Sequence, residues 1–156
     1  MAGEQAMKQS GFARFRPGAV AQFRPLSGIF FAMSIDELFA EVHDSFPTIS
    51  AVADRHHVRE FGAESPVNAY SWFESLANAL NLEMSHGIDP KSHRGLLERL
   101  ERALNSSEEV FKCLDVAFVE NLFWQMPATK AAPFWEQLPA RFKSLYQGFH
   151  HRTPVQ

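Results

Sequence analysis

Only one of the 156 residues is a cysteine, Cys113, so neither an internal disulfide framework nor a cysteine-based zinc site is available. A reducing, cytoplasmic setting is the expectation. Long apolar runs are also missing: the nearest stretch, Leu26 to Met33, falls far short of the roughly 20 residues a membrane-spanning helix needs. Excess positive charge is absent too, with 15 Lys and Arg against 18 Asp and Glu, which argues against holding nucleic acid through a whole-surface basic field. No segment alternates with period two for long enough to suggest a strand.

Reactive constellations are equally sparse. The chain has no Gly-x-Ser-x-Gly elbow, no phosphate-cradling glycine loop and no dinucleotide fingerprint. Seven histidines are present, but none of His43, His56, His57, His86, His93, His150 or His151 has the four-residue spacing around a glutamate that a zinc protease uses. Glu83 and His86 form the one Glu-x-x-His, whereas a di-iron bundle needs two and further carboxylates. The remaining histidines read as solvated or capping groups, and Cys113 as a buried, inert thiol. The expectation is therefore no enzyme, no catalytic residue, no metal and no cofactor.

What is present is ordinary globular material, 46% apolar and 21% charged, enough for one core. Residues 1–32 stand apart. They carry Lys8, Arg14, Arg16 and Arg24 against Glu4 alone, and Gly11, Pro17, Gly18, Pro25 and Gly28 break any helical period. They read as an irregular, poorly ordered extension, with Met33 a candidate natural start, since Arg24-Pro25 interrupts what a signal peptide would need. The remainder, a single helical domain over 33–156, holds eleven bases against seventeen acids and is distinctly acidic.

Helical signals fill that domain. Ser34 and Glu37 form a capping box, followed by Ile35, Leu38, Phe39, Val42 and Phe46 on one face up to Pro47. A weaker helix carries Ile49, Val52 and Ala53 ahead of the polar Arg55-His56-His57. Ser65-Pro66 reads as a helix start, with Tyr70, Phe73, Leu76, Ala77, Leu80 and Met84 in period until Gly87. Asp89-Pro90 opens a helix with Leu96, Leu97, Leu100 and Leu104 inward. Ser106 and Glu109 suggest a second capping box and a helix running on to about Gln125, apolar almost all round and hence central. Pro127 and Pro133 punctuate its exit, and two short helices split at Pro139 follow. The fold expected is all-α, an irregular bundle of about six or seven helices.

Two polar features stand out. Between Pro25 and Asp54 there is no Lys or Arg, and Asp36, Glu37, Glu41 and Asp44 lie off the apolar face of the first helix. This acidic stripe is a candidate partner-binding surface, set against a simple role at the helix N-terminus. Glu120 and Asn121 interrupt the most apolar helix and read as a structural polar pair that must find hydrogen-bond partners.

Tyr70-Ser71-Trp72-Phe73-Glu74-Ser75-Leu76-Ala77, the leucine-rich helix at 96–104, and Ser106-Ser107-Glu108-Glu109-Val110 leading into Phe118-Val119-Glu120-Asn121-Leu122 together resemble an uncharacterised family of small all-helical bacterial proteins. Its members are similar to immunity proteins encoded beside polymorphic toxins, including Rhs-type and contact-dependent effectors. The resemblance covers residues 34–125; the N-terminal extension and the aromatic tail from Phe134 depart from it. It implies a cytoplasmic immunity protein, in the toxin–antitoxin sense, that neutralises a cognate toxin domain by stoichiometric protein–protein interaction, with no nucleic acid or membrane as partner. An acidic surface would suit a toxin with a basic cleft. Rival readings are a helical regulatory module that self-associates through Phe134, Trp135 and Phe149, and a small metal-binding helical enzyme using Glu83 and His86. A chain starting at Met33 should keep the full helical content and melting temperature, measured by circular dichroism; a large loss would show that residues 1–32 pack on the domain.

Overall fold

The computed structural model describes residues 32–63 and 66–156; the basic extension and Ser65 lie outside the described residues. These residues form seven α-helices and, among them, no strand. Helix α1 (Ile35–Ser45) opens on the capping box: Ser34 Oγ accepts from the Glu37 amide at 3.1 Å, and the Glu37 carboxylate accepts from the Ser34 amide at 2.8 Å. Pro47 then begins α2 (Pro47–Phe61) at its first turn, where its missing N–H costs nothing. That helix runs straight through Arg55-His56-His57 and buries His57, against the expectation of a solvated histidine stretch. The ring of His57 lies against Phe61 and 3.4 Å from Ser75 Oγ, so aromatic packing carries it inward.

Helix α3 (Ala69–Ser85) is capped by Asn68, whose Oδ1 accepts from the Ser71 amide at 3.2 Å, rather than by Ser65-Pro66. The proline precedes the helix because an Asx cap two residues later, Asn68, supplies what the first turn needs. Trp72, Phe73, Leu76, Ala77 and Leu80 are fully enclosed, and α3 packs against α1, α2 and much of the C-terminal half. Gly87, at φ 72°, stops it as expected, with Ile88 donating back to the Glu83 carbonyl at 3.1 Å. A 3-10 turn, Pro90–His93, leads into α4 (Arg94–Ala103), which buries Leu96, Leu97 and Leu100, with Leu104 enclosed just past its end.

The next element departs most from the expected continuous helix. Its N-cap is Ser107, which accepts from the Val110 amide, while Ser106 turns its hydroxyl back to the Ala103 carbonyl. Ser107 also donates to the Met33 carbonyl at 2.8 Å, tying the head of α1 to this start. Helix α5 (Glu108–Cys113) then widens into a π-helical turn over Leu114–Phe118 and tightens into a 3-10 turn over Val119–Asn121 before the chain reverses. The centre of the molecule is therefore shared by α3 and this α5 continuation, packed on each other.

Helix α6 (Ala128–Gln137) carries Pro133 in its interior instead of starting after it, and α7 (Ala140–His150) follows Pro139. The missing proline N–H falls five residues into α6, on an exposed face. Phe134, expected at the surface as part of a self-associating tail, is 3% exposed; it packs edge-on to Phe123, while Trp135 is half-buried and Phe149 is exposed. The tail aromatics are thus mostly core.

One side chain joins the two central elements. Asn81, buried on α3, donates through Nδ2 to the Asn121 carbonyl at 2.8 Å and accepts at Oδ1 from the Phe123 amide at 2.7 Å. Removing it leaves both backbone groups short of a partner inside the protein, where such a loss costs about 1–3 kcal/mol per group. Asn81→Ala should therefore lower stability by ~2–3 kcal/mol in urea denaturation, whereas the exposed neighbour Leu82→Ala should change it little.

Candidate partner-binding site

The four acidic residues singled out on α1 have different surroundings. Glu37 is held in the capping box and Glu41 is ion-paired with Arg99 of α4; Asp36 and Asp44 are exposed. Two of the four carboxylates thus have intramolecular work: one completes a helix start, the other ties α1 to α4 beside Met33, whose sulfur lies 3.8 Å from the same guanidinium.

Beside this stripe lies a polar junction that composition did not suggest. Asp54 of α2 accepts from the Trp72 indole N–H at 2.8 Å through one oxygen and from His43 Nε2 at 2.8 Å through the other. Phe39 and His43 pack around the same indole, Phe39 edge-on at 4.9 Å between ring centroids and His43 tilted at 5.9 Å. The carboxylate thereby anchors three helices around a tryptophan that is fully buried except through this bond.

The polar pair at the end of the α5 continuation sits elsewhere. Asn121 donates through Nδ2 to the Ala117 carbonyl at 2.8 Å, while its own carbonyl receives Asn81. Glu120 is half-buried, and its carbonyl lies 3.1 Å from His150 Nε2. Immediately beyond, the backbone enters the left-handed region twice, at Phe123 (φ 64°) and Gln125 (φ 52°). For a bulky residue such as Phe123 this costs roughly 1–2 kcal/mol. The strain is held by Asn81 from one side and by edge-on contacts of the Phe123 ring with Phe134, Trp135 and Tyr146 from the other. Between the two left-handed residues stands Trp124, 62% exposed, the most exposed of the large apolar side chains described.

Sequence reasoning ran a helix through these positions and so missed Trp124. The signal that could have found it is the interruption of an apolar helix by Glu120-Asn121 a few residues before Pro127. Glu83 is half-buried and His86 is an exposed C-cap, and among the described residues no three His, Cys, Asp or Glu side chains gather in a metal-binding cluster. An open cavity of about 220 Å³ lies between the Gly87–Pro90 connection and the first turn of α6, bordered by Asp89 and Lys130 over Met84 and Phe134.

Burial alters several titrations. It pushes the Cys113 thiol up to about 12, leaving it protonated and unreactive at neutral pH, and it lowers His56 and His93. Burial likewise raises Tyr70, with Cys113, Glu120 and Asp115 adding to the effect.

The architecture defines an all-α bundle, and no helix among the described residues is long and apolar enough to cross a membrane. Residues 39–152 match the model of the family described as a domain of unknown function, DUF7674, and the chain belongs to that family. No curated protein and no solved structure matches it.

His56 and His93 take up protons in the unfolded chain near their ordinary value of 6.5 but resist doing so when folded. Their contribution to stability is present above that value and declines as pH falls below it. Thermal melts of His56→Asn/His93→Asn should therefore show a smaller loss between about pH 7 and pH 5 than the native chain; an equal loss would refute the assignment.

Proposed function

We propose that this protein works by binding another protein, as an immunity protein that neutralises a cognate bacterial toxin domain stoichiometrically. The observation that carries the binding reading is the display of Trp124 on a turn that stores backbone strain at Phe123 and is fixed by Asn81. A large aromatic on backbone that is already fixed loses little further main-chain freedom on docking, and tryptophan is among the residues that dominate protein interfaces. Strain that the surrounding structure over-determines is a device of functional turns.

The nature of the partner rests on two supports. One is the resemblance of the α3, α4 and α5 motifs to proteins similar to toxin immunity proteins. The other is the acidic excess of residues 33–156, which suits a toxin with a basic cleft and speeds its capture. The test is co-expression. The reading frame beside this chain's own should encode a large effector whose C-terminal domain, produced alone in a bacterial host, arrests growth, and equimolar native chain should restore it. Persistent arrest in the presence of well-expressed, folded chain would overturn the reading.

A further inference from the structure

The open cavity of about 220 Å³ at the C-terminal end of α3 has a lining divided between apolar and charged groups. Met84 and Phe134, core residues each 3% exposed, form part of it together with Pro90 and Pro133. Ile88 is 46% exposed, and it lines this recess rather than standing alone on the surface. The space is about one and a half times the ~150 Å³ that holds benzene, so it suits one apolar side chain of leucine or phenylalanine size and little more.

The polar part of the lining is split by sign between two walls. The Gly87–Pro90 wall carries Asp89 and follows the negative end of α3, a 17-residue helix with no base in its last turn. The α6 wall carries Thr129 and Lys130, and α6 starts there with no side-chain cap and no acid in its first turn, so the protein does not neutralise its positive end. No ion pair among the described residues includes Asp89 or Lys130, so the two are not bridged across the recess they share. The neighbouring bases His86 and Lys91 do not border it. Asp89 Oδ1 accepts from the Lys91 amide at 2.9 Å, which fixes the carboxylate and leaves Oδ2 unused.

We propose that this cavity binds a free α-amino acid with an apolar side chain. The ammonium lies toward Asp89 and the end of α3, the carboxylate toward Lys130 and the start of α6, and the side chain on Met84, Ile88 and Phe134. Unpaired charges of opposite sign around an apolar floor complement a dipolar molecule, with few polar groups setting its orientation. A peptide terminus carries only one of these charges, and a neutral apolar ligand carries neither. The Trp124 turn does not border the cavity, and the proposal does not rest on the partner reading above.

The test is a titration of the isotope-labelled full chain with L-leucine and L-phenylalanine, followed by amide NMR shifts. The Gly87, Ile88, Thr129 and Lys130 amides should shift saturably, with one ligand per chain. Glycine, N-acetylleucine and leucinamide lack the side chain, the ammonium and the carboxylate respectively, and each should bind about tenfold more weakly or worse. Asp89→Asn keeps an acceptor for the Lys91 amide and should abolish the preference for leucine over N-acetylleucine. Lys130→Met should abolish the preference for leucine over leucinamide. Both variants should melt within a few degrees of the native chain. Absence of saturable shifts at these amides, glycine binding as tightly as leucine, or unchanged preferences in both variants would overturn the proposal. Tighter binding of N-acetylleucine than of leucine would also overturn it, in favour of a peptide C-terminus.

Discussion

The structure depends on a single carboxamide. Asn81 sits on the most buried helix and spends both ends of its side chain on backbone: it donates to the Asn121 carbonyl and accepts from the Phe123 amide. Those groups lie where the α5 continuation stops being helical, and a helix end without such partners cannot be buried. Asn81 thus lets the chain end a helix inside the protein. It also fixes the reversal that follows, which sets the left-handed Phe123 and the ring cluster with Phe134, Trp135 and Tyr146. Neither a carboxylate nor an aliphatic side chain of the same size could supply both a donor and an acceptor here.

The π-helical turn upstream serves the same geometry. A regular α-helix from Glu108 onward would keep one side-chain period, and an apolar sequence such as Val110 to Leu122 would bury nearly all of it. Widening over Leu114–Phe118 changes the rotation between successive residues, so Val116 comes to solvent between buried neighbours while Phe118 still reaches Phe142. The tightening over Val119–Asn121 then brings the Asn121 carbonyl to Asn81. Two opposite departures from α geometry allow one segment to serve the core and still present side chains outward.

This contrast explains what was legible beforehand. The α1 capping box, the Gly87 stop and the leucine face of α4 are local: a side chain meets backbone three residues away, or apolar residues recur at 3.6, and no distant partner is needed. The all-helical class followed from such signals. The burial of Phe134 and the turn that displays Trp124 involve contacts of Phe123 with a residue 42 positions earlier and with residues 11 and 23 positions later. Asn81 itself reads as one of several polar residues on α3, and nothing near it in sequence names Phe123 as its partner. The cap falls on Ser107 rather than Ser106, and the same Ser107 hydroxyl reaches the Met33 carbonyl, a partner 74 positions away in sequence.

The placement of charge points the same way. Glu37 and Glu41, which make α1 look like an acidic recognition surface in sequence, are drawn into the helix start and into Arg99. A carboxylate already hydrogen-bonded or paired can still add to the long-range field, but it has less to offer a partner at contact distance. Long-range attraction scales with the net acidic excess of the whole body and fades within about 10 Å at 0.1 M salt. Contact energy comes from side chains that are exposed and held in place, and on this molecule the best such group is Trp124. Net charge and exposed apolar contact are therefore laid out differently on this molecule: the acidic excess is spread along residues 33–156, whereas the largest exposed apolar side chain, Trp124, stands at one turn that Asn81 fixes.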